Sequence, residues 1–390
     1  MIREAYLVIS RAEMRDAMNI MRDYDCEPKI DSMNYARVFL EAIHTNLASN
    51  LELLQELWEQ KFFASSVSHI DLVETLKNDW MIECEKTNLH PSQPETSFET
   101  GVYSCTSIGR ATADAALRTD ISLFILHDLD RANQLMVLAN ELHLVYLVTP
   151  SNAIFWESRE EWANLESIYR QLNDDERKVA KLAHVKESFL HQRASGDKNG
   201  QKPKEEVVYE HNRFFCSLAL YRLISEEPFD DVAKQFKLSR GELEILQQQS
   251  AQYATKILPF CREMEWHHLL ILLKDLPFRI AFGVRNELNE LVQIRGIDQK
   301  RARALFSDGF NSWAKILWAS SDRISTALTQ TFPMFNCSYK FEWLVGEEPL
   351  PLPEAALRIQ QRARELLESR LREQGFDTSH LKHMLDNVKG

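Results

Sequence analysis

Lys300, Arg301 and Arg303 open a basic helical stretch just after a single glycine, in Gln293-Ile-Arg295-Gly296-Ile-Asp-Gln-Lys300-Arg301-Ala-Arg303. Helix, one-glycine turn and second basic helix is the order of a helix-hairpin-helix. In that motif the glycine lets backbone amides approach a phosphate, and the second helix offers its N-terminus and its Lys or Arg side chains. Arg295, Gly296, Lys300, Arg301 and Arg303 are therefore candidate phosphate contacts. A solvated basic helix start is the competing account. Gly309-Phe310 repeats the break before a short helix expected over Trp313 to Ser320.

A second candidate lies upstream, where Ser239-Arg240-Gly-Glu242 has capping-box spacing and starts a helix expected to run from Arg240 to about Leu258. With the short helix opened by Pro228 it also has the layout of a helix-turn-helix. A groove-reading helix wants several Arg, Lys or Asn near its start, and here only Arg240 qualifies.

Catalytic patterns are missing from the sequence. There is no Gly-x-x-x-x-Gly-Lys-Ser/Thr loop, and Gly196-Asp-Lys-Asn-Gly200 has neither its spacing nor a strand before it. No His-Glu-x-x-His occurs, and His380 and His383 lack a third ligand. Asp174-Asp175-Glu176 is an acidic first turn that suits a helix dipole. No arrangement favours a Cys–His nucleophile. The expectation is a chain that is not an enzyme by itself and holds no metal or other cofactor; ATP would be held only by another or longer chain.

The elements that must position these residues are helical. The 390 residues include 44% hydrophobic, enough for a sizeable core and about two to four domains, and the 11 Gly and 12 Pro are few. A net charge of -12 argues against bulk electrostatic binding of nucleic acid, so any such contact is local. Six scattered cysteines with no Cys-x-x-Cys fit reduced thiols. The first residues do not form a signal peptide, and no apolar run reaches the ~18 residues of a membrane span.

In chain order, Ala5–Ile9 is a short strand and Glu13–Asp23 a helix. Three helices are expected over Met33–Leu47, Leu51–Phe63 (capped by Asn50) and Ser68/His69–Glu83. A polar loop and a strand pair over Phe98–Ser107 complete what reads as a winged helix. Arg118–Pro150 places Ile121, Phe124, Ile125, Leu129, Ala132, Leu135, Met136 and Ala139 at helical spacing, a long helix with one face in a core. Helices follow over Phe155–Gln171, Asp174–Gln192, Tyr209–Ser225 and Ile280–Val292. Residues 195–206 have linker composition. Glu354–Gln374 is an amphipathic helix whose apolar face is Ile359, Ala363, Leu366, Leu367 and Leu371, before a tail from 377 to 390.

An ordered series of short motifs carries a resemblance. These are Gly109-Arg-Ala-Thr-Ala, Asp128-Leu with Arg131-Ala, Asn140-Glu-Leu-His-Leu-Val-Tyr-Leu-Val-Thr-Pro150, Arg213-Phe-Phe-Cys-Ser-Leu, Leu223-Ile-Ser-Glu-Glu-Pro228, Leu246-Gln-Gln-Gln-Ser-Ala-Gln-Tyr253, Glu265-Trp-His267, Phe282-Gly-Val and Arg301-Ala-Arg303. Together they resemble the part that follows the ATPase core in the polymerase-theta family of helicase-like regions, and are similar also to the polymerase-theta-like helicases. The resemblance implies a remnant of the second RecA-like lobe over 1–23, a winged helix over 24–110, a helical ratchet bundle over 111–279, a helix-hairpin-helix domain over 280–350 and the amphipathic helix over 351–376. It makes Arg240–Leu258 the ratchet helix, with Gln248, Gln252 and Lys256 on its DNA-facing side. Where archaeal relatives place a stacking aromatic and an arginine, this chain carries Gln252, with Tyr253 beside it, and Ile245, so strong base stacking is not expected.

The fold class expected is thus mainly α, and the function expected is that of a DNA-binding accessory part of a superfamily 2 repair helicase. It would guide single-stranded or branched DNA in end joining of double-strand breaks, in the nucleus, with motor or repair-protein partners and no membrane. Both RecA-like lobes save the remnant would be missing, which leaves a piece of a longer product or a chain that kept the accessory domains. The alternatives are a protein-interaction or homo-oligomerisation scaffold that ignores DNA, and a partner that works in trans with a separate motor chain.

Overall fold

The structure, a computed structural model, describes residues 32–59, 68–86, 101–135, 140–151, 153–196, 204–329, 340–341 and 348–376. The strand and helix expected in 1–23, the polar loop before residue 98, most of the 195–206 linker and the 377–390 tail lie outside those residues. The described chain is mainly helical and divides into two compact units, Met1–Leu126 and His127–Gly390.

In the first unit α1 (Ser32–His44), α2 (Leu51–Glu59) and α3 (His69–Asn78) precede an antiparallel pair, β1 (Ile82–Lys86) and β2 (Gly101–Cys105). Asn50 caps α2 as expected, its Oδ1 accepting from Leu53 N at 2.8 Å, and Ser68 caps α3. The third helix does not reach Glu83. It stops at Asn78, Trp80 turns to a φ of 58°, and Glu83 becomes part of β1. The strand pair is therefore made across the polar loop, Cys84 opposite Tyr103, rather than within 98–107. Alternation does this work: in β2, Gly101, Tyr103 and Cys105 face inward while Val102 is exposed. Phe39, Leu40, Leu54, Leu76 and Met81 form the core, with Trp58 edge-on to Tyr35 and Phe39.

After α4 (Ser107–Asp114), the Arg118–Pro150 stretch splits in two. α5 (Thr119–Leu135) buries Ile125, Leu129 and Ala132. Ile121 and Phe124 of the expected core face are 38% and 44% exposed, because the buried stripe is narrower than the apolar one. Met136 and Ala139 lie outside the described residues. Asn140 then caps a separate α6 (Glu141–Leu147), accepting from His143 N at 3.1 Å. A capping side chain starts a new helix where sequence period alone shows a change of character.

The second unit continues with α7 (Arg159–Arg170), α8 (Asp174–Leu182), α9 (Glu187–Ser195), α10 (Glu205–Ile224), α11 (Phe229–Gln235), α12 (Arg240–Glu263), α13 (His267–Leu273) and α14 (Leu276–Phe282). Phe155 and Trp156 precede α7, which begins at a Ser158–Glu161 capping box. The single helix expected over Asp174–Gln192 breaks at His184, where φ is 57°. The one expected over Ile280–Val292 breaks at Gly283, which closes α14 in the left-handed conformation that costs glycine little. A 3-10 turn (Asn286–Leu288) and α15 (Asn289–Val292) follow, then α16 (Gln299–Ser307), α17 (Trp313–Leu317), α18 (Ser321–Thr329), the short pair β3 (Lys340–Phe341) and β4 (Leu350–Pro351), and α19 (Leu352–Glu373). Val284 to Leu328 and the apolar face of α19, with Ala355, Ile359 and Ala363, share one core. Among the described residues no helix is long and apolar enough to cross a membrane.

Candidate nucleic-acid interface

α12 is the longer of the two elements that carry the candidate residues. Its start is fixed as the sequence required: Ser239 Oγ accepts from Glu242 N at 3.2 Å, and Glu242 Oε2 accepts from Ser239 N at 2.8 Å. The inward side holds Leu243, Leu246, Ala254 and Ile257. The outward side presents Ile245 (52% exposed), Gln248 and Gln252, with Lys256 half-buried. These positions recur at three and four residues, so they make one stripe. Its amides both donate and accept hydrogen bonds and carry no charge. Half-buried Tyr253 lies off this stripe; burial pushes its hydroxyl up to about 12, with the buried Arg213 opposing. Arg240 is exposed, pairs with Asp230 at 3.2 Å and stacks over the Phe229 ring at 5.4 Å.

The hairpin between α15 and α16 places its candidates unevenly. Gly296 is buried with a φ of 93°, a conformation that glycine adopts without strain. Asp298 caps α16 by accepting from Arg301 N at 2.9 Å, so a carboxylate already sits on the helix start. Arg301 folds back to donate to the Gly296 carbonyl at 2.9 Å. Arg303 pairs with Glu226 and, at 2.7 Å, with Glu287; burial works against its charge, and these carboxylates hold its guanidinium above the ordinary value. Arg295 and Lys300 are exposed.

The bundle and hairpin are tied through the end of α14. Gln247 of α12 donates to the Ile280 carbonyl at 2.7 Å, and Gln299 of α16 donates to the Gly283 carbonyl at 2.9 Å. Glu226, in the turn after α10, accepts from Arg303 and from Arg285 N. Sequence reasoning missed Gln247, Gln299, Glu226 and Glu287 as the residues that fix this geometry. No local signal marks Glu226, which is 77 residues from Arg303. Among the described residues no cluster of His, Cys, Asp or Glu could hold a metal ion.

Residues 120–280 match the family model of the DNA pol Q helicase-like region helical domain. DNA polymerase theta of Caenorhabditis elegans is 33% identical over 96% of this chain and 23% of its own length. DNA polymerase theta of Mus musculus is 32% identical over 76% of this chain and 12% of its own. The human Helicase POLQ-like protein is 27% identical over 85% of this chain and 30% of its own. The chain thus spans less than a third of each of these relatives.

Proposed function

Since this chain is a relative of the helicase-like region of DNA polymerase theta, with the helical domain of that region at residues 120–280, we propose that it guides a single DNA strand as the non-motor part of a repair helicase in the nucleus. On this reading 24–110 acts as a winged helix and 280–350 as a helix-hairpin-helix. The α12 stripe of Gln248, Gln252 and Lys256 faces the strand, and Arg295, Gly296 and Lys300 meet its phosphates. Arg301 and Arg303 hold the turn that presents them, and Arg240 extends the stripe at its start. The observation that carries the reading is the α12 stripe of Gln248, Gln252 and Lys256, on a helix tied by hydrogen bonds through α14 to the glycine hairpin that exposes Arg295 and Lys300. A protein with a net charge of -12 holds a polyanion where cations are exposed together, as Arg295 and Lys300 are at the hairpin.

The test is anisotropy of a labelled single-stranded oligonucleotide over a salt series. Binding should weaken linearly in log salt, with a slope of about -0.7 per phosphate contact. Binding that persists undiminished at high salt, or no binding, overturns the reading. A second reading, a protein-interaction module, is favoured by Ile271, Leu272 and Phe278, which are 62%, 43% and 45% exposed on two neighbouring short helices. Light scattering with and without the oligonucleotide separates the two: a stable oligomer indifferent to DNA supports the second.

A further inference from the structure

A groove of about 390 Å³ runs between the residues entering the hairpin and the terminal helix α19, lined by Gln293, Arg295, Arg358, Gln361, Arg362, Glu365 and Leu366. Its charge departs from that of the molecule: three guanidinium groups face one carboxylate, in a chain of net charge -12. Arg358 and Arg362 are four residues apart on α19 and so lie on one face of it. Ile359 and Ala363, beside them in sequence, are fully buried in the hairpin core, which fixes the helix and the direction of that face. Arg362 donates to the Arg295 carbonyl at 2.7 Å, so the two walls are locked together across the groove. Arg358 is exposed and pairs with no carboxylate among the described residues. Guanidinium forks match phosphate oxygens in geometry and are weakly hydrated, which favours them over lysines for this ligand.

We propose that this groove is a second phosphate-binding site, in which Arg295, Arg358 and Arg362 take the backbone of the same DNA strand that reaches the hairpin. The inference rests on the DNA-guiding function proposed above and adds α19 to the binding surface. It assigns Arg295 to a wall shared by hairpin and helix rather than to the turn alone. Glu365, which accepts from Gln361 at 3.1 Å, borders the site and opposes an anion there.

The test uses the full chain and a fluorescent oligothymidylate, with affinity read over a salt series for wild type, Arg358→Gln, Arg358→Gln/Arg362→Gln, Glu365→Gln and Lys178→Gln. Arg358→Gln should lower the salt slope by about 0.7 and the double variant by about 1.4, at one lost phosphate contact per arginine. Glu365→Gln should bind severalfold more tightly, on the order of one screened like charge removed. Lys178→Gln removes a charge from α8 and should leave the slope unchanged. The unfolding midpoint of Arg358→Gln should match wild type, so that a lost slope is not lost folding. Wild-type binding with the same slope in both arginine variants overturns the groove and leaves the DNA-guiding function standing. An equal loss in Lys178→Gln also overturns it, as a general charge effect. Wild type that binds no oligonucleotide overturns the DNA-guiding function and the groove with it.

Discussion

Arg213 is 2% exposed and charged, and each part of its guanidinium is engaged. It pairs with Asp128, donates to the Thr149 carbonyl at 2.8 Å and the Leu147 carbonyl at 3.3 Å, and lies 4.4 Å from the centre of the Tyr146 ring. Burial disfavours its charge, but Tyr146 and Asp128 outweigh burial and hold it above the ordinary arginine value. The arginine thereby joins α5, the end of α6 and α10. Asp128→Ala should cost about 3–5 kcal/mol, because it strands a buried charge, and urea unfolding would measure it. His211 is buried as well: Nε2 accepts from Lys186 N at 3.0 Å, and Nδ1 contacts the Val207 carbonyl at 2.7 Å, which fits a neutral ring donating from Nδ1. Burial is the main cause that lowers its pKa below 6.5, with Lys186 adding to it against the two backbone bonds. In that case the unfolded chain binds more protons, so stability rises with pH. The contribution is complete above the unfolded value near 6.5 and is lost as pH falls below it toward the folded value. His211→Gln should flatten this fall, read from unfolding midpoints between pH 8 and pH 5.

At the scale of the element, α12 shows how a helix is made addressable. Its capping box fixes where the helix starts, and therefore which residues fall on the outward stripe. Ser239→Ala should destabilise the protein by about 0.5–2 kcal/mol. Oligonucleotide affinity, measured where the variant is folded, should stay close to wild type, since the buried residues Leu243, Leu246, Ala254 and Ile257 keep the helix in register. A large loss of affinity with intact folding would mean that the cap itself meets the strand. α19 teaches the complementary lesson. Its expected apolar face is correct at Ile359 and Ala363, both fully buried, and Leu366 and Leu367 pack beside them. What period could not reveal is the partner of that face, since α17 and α18, which receive it, lie tens of residues upstream.

Across the molecule, the second unit is held at several places by arginine–carboxylate pairs between distant elements. Besides Arg213–Asp128 these are Arg222–Glu176 at 2.6 Å, Arg279–Glu141 at 2.6 Å and Arg303–Glu226. Arg303→Gln should lower the unfolding free energy by about 1–2 kcal/mol, the low end for a charged hydrogen bond because the side chain is still 34% exposed. The salt slope of DNA binding should stay unchanged; a fall in slope would return Arg303 to the phosphate contacts. The mainly helical class, the caps at Asn50 and Ser239 and the apolar face of α19 were legible in the amino-acid order, because each depends on residues within one or two helical turns. The exposure of Ile121 and Phe124, the breaks at His184 and Gly283 and the separate fates of Lys300, Arg301 and Arg303 were not. Periodicity marks an apolar face without saying how much of it a neighbour covers. A run of bases likewise reads as one surface until long-range pairing engages some members and leaves others in water, and only the tertiary structure brings Glu226 to Arg303 or Arg358 to Arg295.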